Sequence, residues 1–110
     1  MKKYILLLLN LFFYISISAQ FGPQQPISTN SAIDIYPCDV NGDGDIDLVA
    51  ANYGDDSIGW YENLDGQGNF GTRQIISTNA DQARTVHAVD IDGDGDLDVI
   101  SGSQADAKIA

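Results

Sequence analysis

The sequence holds little positive charge. It has five Lys and Arg residues against 16 Asp and Glu residues, which gives a formal net charge of −11 at pH 7. Two of the five bases, Lys2 and Lys3, stand at the N-terminus. A chain this acidic repels the phosphates of nucleic acids and the surfaces of anionic membranes. The composition therefore excludes nucleic-acid binding.

Cysteine is almost absent, since Cys38 is the single cysteine among the 110 residues. No disulfide can form within the chain. The chain repeats internally, as described below, and Cys38 aligns with Val89 in that repeat. An apolar counterpart favours a small buried side chain over a reactive thiol at this position.

One long apolar run stands near the N-terminus. A basic head precedes residues 4–17, which are almost wholly apolar, and small residues follow them. This layout predicts a helical signal peptide over residues 1–19, with cleavage after Ala19 or Ser18. The run is shorter than the roughly 20 residues that a membrane span needs. We therefore expect residues 20–110 to be secreted or held at the cell surface, with no membrane span after cleavage.

Two acidic runs dominate the rest of the chain: DVNGDGDID at residues 39–47, called the first loop, and DIDGDGDLD at residues 90–98, called the second loop. Oxygen-bearing side chains occupy positions 1, 3, 5 and 9 of each, with glycine at positions 4 and 6. Asp and Gly are also common in solvated turns. However, carboxylates packed within about 8 Å, the screening length at physiological salt, repel one another unless a cation neutralises them. Ca²⁺ accepts six to eight oxygens at about 2.3–2.6 Å, which such a loop can supply.

The two loops therefore predict two Ca²⁺ sites, which would also cross-link a chain that lacks disulfides. The EF-hand alternative is set aside because position 12 is Ala50 or Ser101 instead of Glu, and strand-like residues follow each loop. Positions 1, 3, 5 and 9 would bind through side chains and position 7 through its backbone carbonyl. The predicted metal residues are Asp39, Asn41, Asp43, Asp45 and Asp47 in the first loop and Asp90, Asp92, Asp94, Asp96 and Asp98 in the second.

The self-similarity extends beyond the loops. The sequence ISTN occurs at residues 27–30 and again at 76–79, and the loops recur 51 residues apart. A period near 50 with several short strands is typical of a β-propeller blade. Short apolar runs rich in β-branched residues, and the lack of helical spacing after the signal peptide, predict an all-β chain with one complete four-stranded blade and part of a second. The predicted strands lie near residues 32–38, 46–52, 57–63, 72–78, 84–89 and 97–102.

The acidic loops, the Phe-Gly pairs at residues 21–22 and 70–71, and the strand IGWYEN at residues 58–63 together resemble FG-GAP or VCBS-type repeats. These repeats are similar to the blades of the integrin α-subunit propeller. The resemblance covers residues 20–110 and implies that each loop joins two strands of one blade and binds Ca²⁺. It also implies a role in cell adhesion. Position 7 of the family loop is arbitrary, so ligation by the Asp45 and Asp96 side chains stays open.

Two functions remain open from the sequence. One is a non-catalytic secreted calcium-binding repeat module that recognises a protein or glycan, and the other is the propeller portion of a larger secreted carbohydrate-active enzyme. A closed propeller needs about four to eight blades, so we expect a longer parent protein. Neither His87 nor the pair Glu62 and Asp65 forms a recognisable catalytic set. Trp60 and Tyr61 are expected to pack between blades more than to stack on a sugar.

Overall fold

The computed structural model describes residues 23–28 and 31–110. The predicted signal peptide at residues 1–19 lies outside these ranges. Within them the regular secondary structure consists of strands alone. Accordingly, a helix with the length and hydropathy needed to cross a membrane is not found in the described part of the chain.

Seven strands form two antiparallel sheets. The first sheet has the order β1-β2-β3-β4 and the second has the order β5-β6-β7. This architecture confirms the prediction of an all-β chain with one four-stranded unit and part of another. The strands are β1 (Ala32–Cys38), β2 (Asp47–Asn52), β3 (Ser57–Tyr61), β4 (Gln74–Ser77), β5 (Ala83–Val89), β6 (Asp98–Ser103) and β7 (Lys108–Ile109).

The backbone repeats as regularly as the sequence. β5, β6 and β7 start at residues 83, 98 and 108, each 51 residues after the starts of β1, β2 and β3 at 32, 47 and 57. Left-handed φ values recur with the same offset. Asp56 and Ala107 have φ of 56° and 50° in the turns that follow β2 and β6. Local sequence therefore specifies the same turn twice, even where one copy places an alanine in a costly conformation.

β3 is shorter than predicted, because it ends at Tyr61 instead of near residue 63. Asn63 forms only an isolated bridge with Phe70. Its side chain bonds to the backbone instead: Nδ2 donates to the carbonyl of Ile46 at 3.1 Å, and Oδ1 accepts from the Gly68 amide at 3.0 Å. A side chain that bonds to backbone groups in this way competes with the sheet ladder and turns the chain. β4 is also shorter than the predicted 72–78.

The core lies between the two sheets and is built from small and β-branched side chains. The buried members are Cys38, Val49, Ala51, Ile58, Ala80, Ala83, Val86 and Ala88. Cys38 is 8 % exposed. This confirms it as a buried core residue, and burial raises the pKa of its thiol.

Asp34 on β1 links the two sheets. Its Oδ2 accepts from the Thr85 hydroxyl at 2.9 Å and from the Val86 amide at 3.0 Å, both on β5. The bond from the Val86 amide, with that from Thr85, holds the pKa of Asp34 below its usual range. Farther along the same strands, the rings of Tyr36 and His87 meet edge to face at 5.3 Å. β1 therefore lies beside β5, so the loops that follow these strands emerge at the same end of the molecule.

A second polar link joins the sheets at the opposite end. In the turn after β2, Asp56 Oδ1 accepts from the Gln82 amide at 2.8 Å. The Asp56 carbonyl also accepts from the Ala80 amide at 3.3 Å. This turn therefore holds the segment that leads into β5, and neither contact needs an ion.

Candidate metal centre

Each acidic loop connects two paired strands of one sheet: the first loop joins β1 to β2, and the second joins β5 to β6. The two loops are neighbours. They line a shared cavity of about 140 Å³, to which the first loop contributes residues 39–42 and the second contributes residues 95–97. The fold thus gathers most of the acidic residues of the described chain at one end.

The carboxylate at position 1 organises the first loop. Asp39 Oδ1 accepts from the amides of Gly42 and Asp43 at 2.8 and 3.1 Å, and its Oδ2 accepts from the Gly44 amide at 2.9 Å. Gly44 has a φ of 93°, which glycine adopts without the clash that a Cβ would cause. The chain can therefore wrap around one carboxylate.

Three further bonds from backbone amides hold the first loop. Asn41 Oδ1 accepts from the Asp43 amide at 3.1 Å, and Asp43 Oδ1 accepts from the Asp45 amide at 2.8 Å. Asp47 Oδ2 accepts from the Val40 amide at 3.1 Å, so position 9 reaches back to position 2. The side chains at positions 1, 3, 5 and 9 are all held by backbone N–H groups of the same loop.

The second loop has the same six bonds at matching positions. Asp90 again accepts three amides, and Asp98 again reaches back to the amide at position 2, that of Ile91. The remaining bonds run from the Asp94 amide to Asp92 Oδ1 at 3.1 Å and from the Asp96 amide to Asp94 Oδ1 at 2.9 Å. Two loops that are 51 residues apart in sequence therefore fold alike.

Three of the five predicted metal residues of the second loop form a compact group. Asp90, Asp92 and Asp98 each offer a carboxylate oxygen, and these oxygens lie within 4.8 Å of one another. Asp94 and Asp96 lie outside that group. The corresponding residues of the first loop are Asp39, Asn41 and Asp47. Because all these donors are oxygens, the group fits a hard cation such as Ca²⁺ better than a soft transition metal.

At position 7 of the first loop, the Asp45 carboxylate packs against the backbone of Gly66. A Cβ built at Gly66 would lie 2.8 Å from Asp45 Cγ, which is closer than atoms in contact allow. Gly66 also has a φ of 68°. The Asp45 side chain is therefore seated against the turn at residues 65–69.

Two residues from outside the nine-residue pattern also contact the first loop. The Asn63 amide donates to Asp47 Oδ1 at 2.8 Å, and Asp47 is 0 % exposed. Glu62 Oε1 accepts from Asn41 Nδ2 at 3.2 Å. Sequence reasoning missed both as partners of the loop. The antiparallel pairing of β2 with β3 could have indicated these contacts. It places Tyr61 opposite Leu48, so that Glu62 and Asn63 come next to the first loop.

The remaining sequence candidates have separate contacts. Tyr61 is 4 % exposed, so its ring face cannot stack on a sugar, and Trp60 is half-buried. The His87 ring packs against Tyr36. Asp65 Oδ1 accepts from the amides of its own turn, those of residues 67 and 69, whereas Glu62 is turned toward the first loop.

The fold and its loops define an all-β repeat protein in which each repeat carries an acidic loop between two antiparallel strands. The chain belongs to the FG-GAP-like repeat family, whose family model matches residues 39–101, from the start of the first loop into β6. This confirms the resemblance to FG-GAP repeats seen in the sequence. No curated protein and no solved structure matches the chain.

Proposed function

We propose that each acidic loop binds one Ca²⁺ and that the ions act as structural cross-links. The observation that carries this proposal is the convergence of Asp90, Asp92 and Asp98, whose oxygens lie within 4.8 Å of one another. Like charges at that separation destabilise the folded loop unless a cation offsets their repulsion. The hydrogen-bond pattern shared by the two loops extends the proposal to the first loop.

The residues of the chain have distinct roles in the proposed sites. Backbone amides orient these side chains, since each of the six bonds that the two loops share runs from a backbone amide to a side-chain oxygen. The side chains at positions 1, 3, 5 and 9 and the carbonyl at position 7 would hold the ion. A bound calcium ion would supply the positive charge that lets these groups stay together.

We further propose that the two sheets are consecutive blades of a β-propeller in an exported, non-catalytic protein that recognises a protein or glycan. The 51-residue recurrence of strands and turns supports the blade assignment, as does the shared core between the sheets. The acidic composition and the family membership support a calcium-dependent module. Extracellular modules of this kind typically bind Ca²⁺ with Kd values of about 10⁻⁴–10⁻³ M, which supports an extracellular location.

Calorimetry and thermal unfolding test the proposal. Titration of the full chain with CaCl₂ should show two binding events with Kd values of about 10⁻⁴–10⁻³ M. At 10 mM Ca²⁺ each ion should stabilise the fold by about 2 kcal/mol, which a melting curve would detect. Asp90→Asn with Asp98→Asn should remove one binding event and keep the other. Equal melting temperatures in Ca²⁺ and in EDTA would contradict the structural role.

A further inference from the structure

The two loops differ at position 3, which is Asn41 in the first loop and Asp92 in the second. In both, Oδ1 accepts from the amide at position 5, at 3.1 Å. The Asn41 amide nitrogen therefore takes the place of the second carboxylate oxygen of Asp92. Because an amide nitrogen donates hydrogen bonds and does not bind cations, the orientation of the Asn41 amide decides whether position 3 presents an oxygen to an ion.

Two carboxylates fix that orientation. Asn41 Nδ2 donates to Asp43 Oδ2 at 2.9 Å and to Glu62 Oε1 at 3.2 Å. Ionised carboxylates only accept hydrogen bonds, so both select the nitrogen of the amide and leave Oδ1 directed at the loop backbone. Asp43 belongs to the loop itself. Glu62 comes from the end of β3, 21 residues farther along the chain.

We infer that Glu62 is a positioning residue of the first calcium site: by accepting from Nδ2, it helps to keep Oδ1, the one atom of the Asn41 amide that can bind a cation, on the side of the loop backbone. This inference rests on the proposed function. The second loop needs no such partner, because the two carboxylate oxygens of Asp92 are chemically equivalent. A residue that orients a ligand through one hydrogen bond commonly contributes tenfold or more to metal affinity.

NMR titration of the full chain with CaCl₂ tests the inference loop by loop. The backbone amides of Gly44 and Gly95 report the first and second loops separately in one sample. Glu62→Ala should weaken the first site about tenfold and leave the second unchanged. Glu62→Gln should keep the first site within about threefold, because its side-chain oxygen still accepts from Asn41.

Asn41→Asp provides the second variant, since it makes position 3 of the first loop like that of the second. In this background Glu62→Ala should no longer weaken the first site. The inference is overturned if Glu62→Ala leaves the Gly44 response unchanged, if Glu62→Gln weakens it as much as Glu62→Ala, or if the loss persists with Asn41→Asp. If neither glycine amide responds to Ca²⁺, the proposed function is overturned as well. If the Gly95 amide responds normally, only the inference about Glu62 fails.

Discussion

The first and second loops share nine-residue patterns, glycine positions and six internal hydrogen bonds, yet they differ in what surrounds them. Asp47 is fully buried, with one oxygen on its own loop and the other on the Asn63 amide. Asp98 occupies the same position in the second loop and is exposed, and the 110-residue sequence holds no residue 51 positions after Asn63 that could cover it in the same way. Its bond in the described part of the chain is to its own loop, at Ile91. The comparison distinguishes the hydrogen bonds that the loop sequence forms by itself from the contacts that neighbouring strands add.

The strongest test of this difference compares the stability of Asp47→Asn with that of Asp98→Asn. An asparagine at position 47 must turn its amide nitrogen toward the backbone N–H of either Val40 or Asn63. That N–H group is then a buried donor without an acceptor. We expect a loss of about 2–3 kcal/mol in the free energy of unfolding, measured by denaturant in EDTA. An asparagine at position 98 can still place its oxygen on the Ile91 amide and turn its nitrogen to solvent.

The matched change at position 98 should therefore cost less than about 1 kcal/mol. EDTA removes any contribution from a bound ion, so the difference reports the surroundings alone. Equal losses for the two variants would show that the contact with Asn63 does not matter for stability.

Where the loops are alike, substitutions should have equal effects. Gly44 and Gly95 have φ of 93° and 96°, and a Cβ at either would meet nothing within 4 Å. Alanine at each position should cost about 1–2 kcal/mol from backbone strain alone. Thermal unfolding of the two single variants tests this, and a difference of more than about 1 kcal/mol between them would break the equivalence of the loops.

The pH dependence of stability probes how the sheets that carry the two loops are joined. The pKa of Asp34 in the folded protein is lowered, chiefly by the hydrogen bond from the Val86 amide. The Asp34 carboxylate therefore stabilises the fold at pH values above its ordinary pKa, and this stabilisation is lost as the pH falls through the pKa of the folded state. The loss of stability therefore occurs below about pH 4. Asp34→Asn should reduce the loss of stability on acidification, which denaturant unfolding at pH 5 and pH 2.5 can measure. An unchanged acid profile would count against Asp34 as the link.

Gly66 tests the smaller contact between the first loop and the following turn. Alanine there adds a Cβ against the Asp45 carboxylate, in addition to strain from a φ of 68°. Gly68, with a φ of 88° and nothing within 4 Å of an added Cβ, is the matched control. We expect Gly66→Ala to be less stable than Gly68→Ala by about 0.5–1 kcal/mol, since Asp45 must move. Equal stabilities would show that the carboxylate adapts freely.

Much of the fold could be predicted because its signals are local. Short runs of apolar and β-branched residues indicated the approximate bounds of β1 and β5, and the repeat placed equivalent strands in both units. The glycines at positions 4 and 6 determined the shape of each loop. The end of β3 could not be predicted, because it depends on where the Asn63 side chain finds backbone partners.

The site could be predicted only in part, for a similar reason. The loop pattern identifies Asp90, Asp92 and Asp98, which the fold brings together. It does not reveal that Asp47 is buried or that Glu62 reaches Asn41, because both contacts depend on the register between β2 and β3. Likewise, spacing does not reveal that Asp45 packs against Gly66.

The hydrogen bonds that Asp56 accepts from the segment before β5 have a consequence for how the two sheets would come apart. They lie at the end of the molecule away from the acidic loops and involve only protein atoms. Under the calcium proposal, the two ends of the unit respond to different solutes. A chelator would fray the structure from the loop end while the Asp56 end stays closed, so amide hydrogen exchange would spread through the sheets from one side.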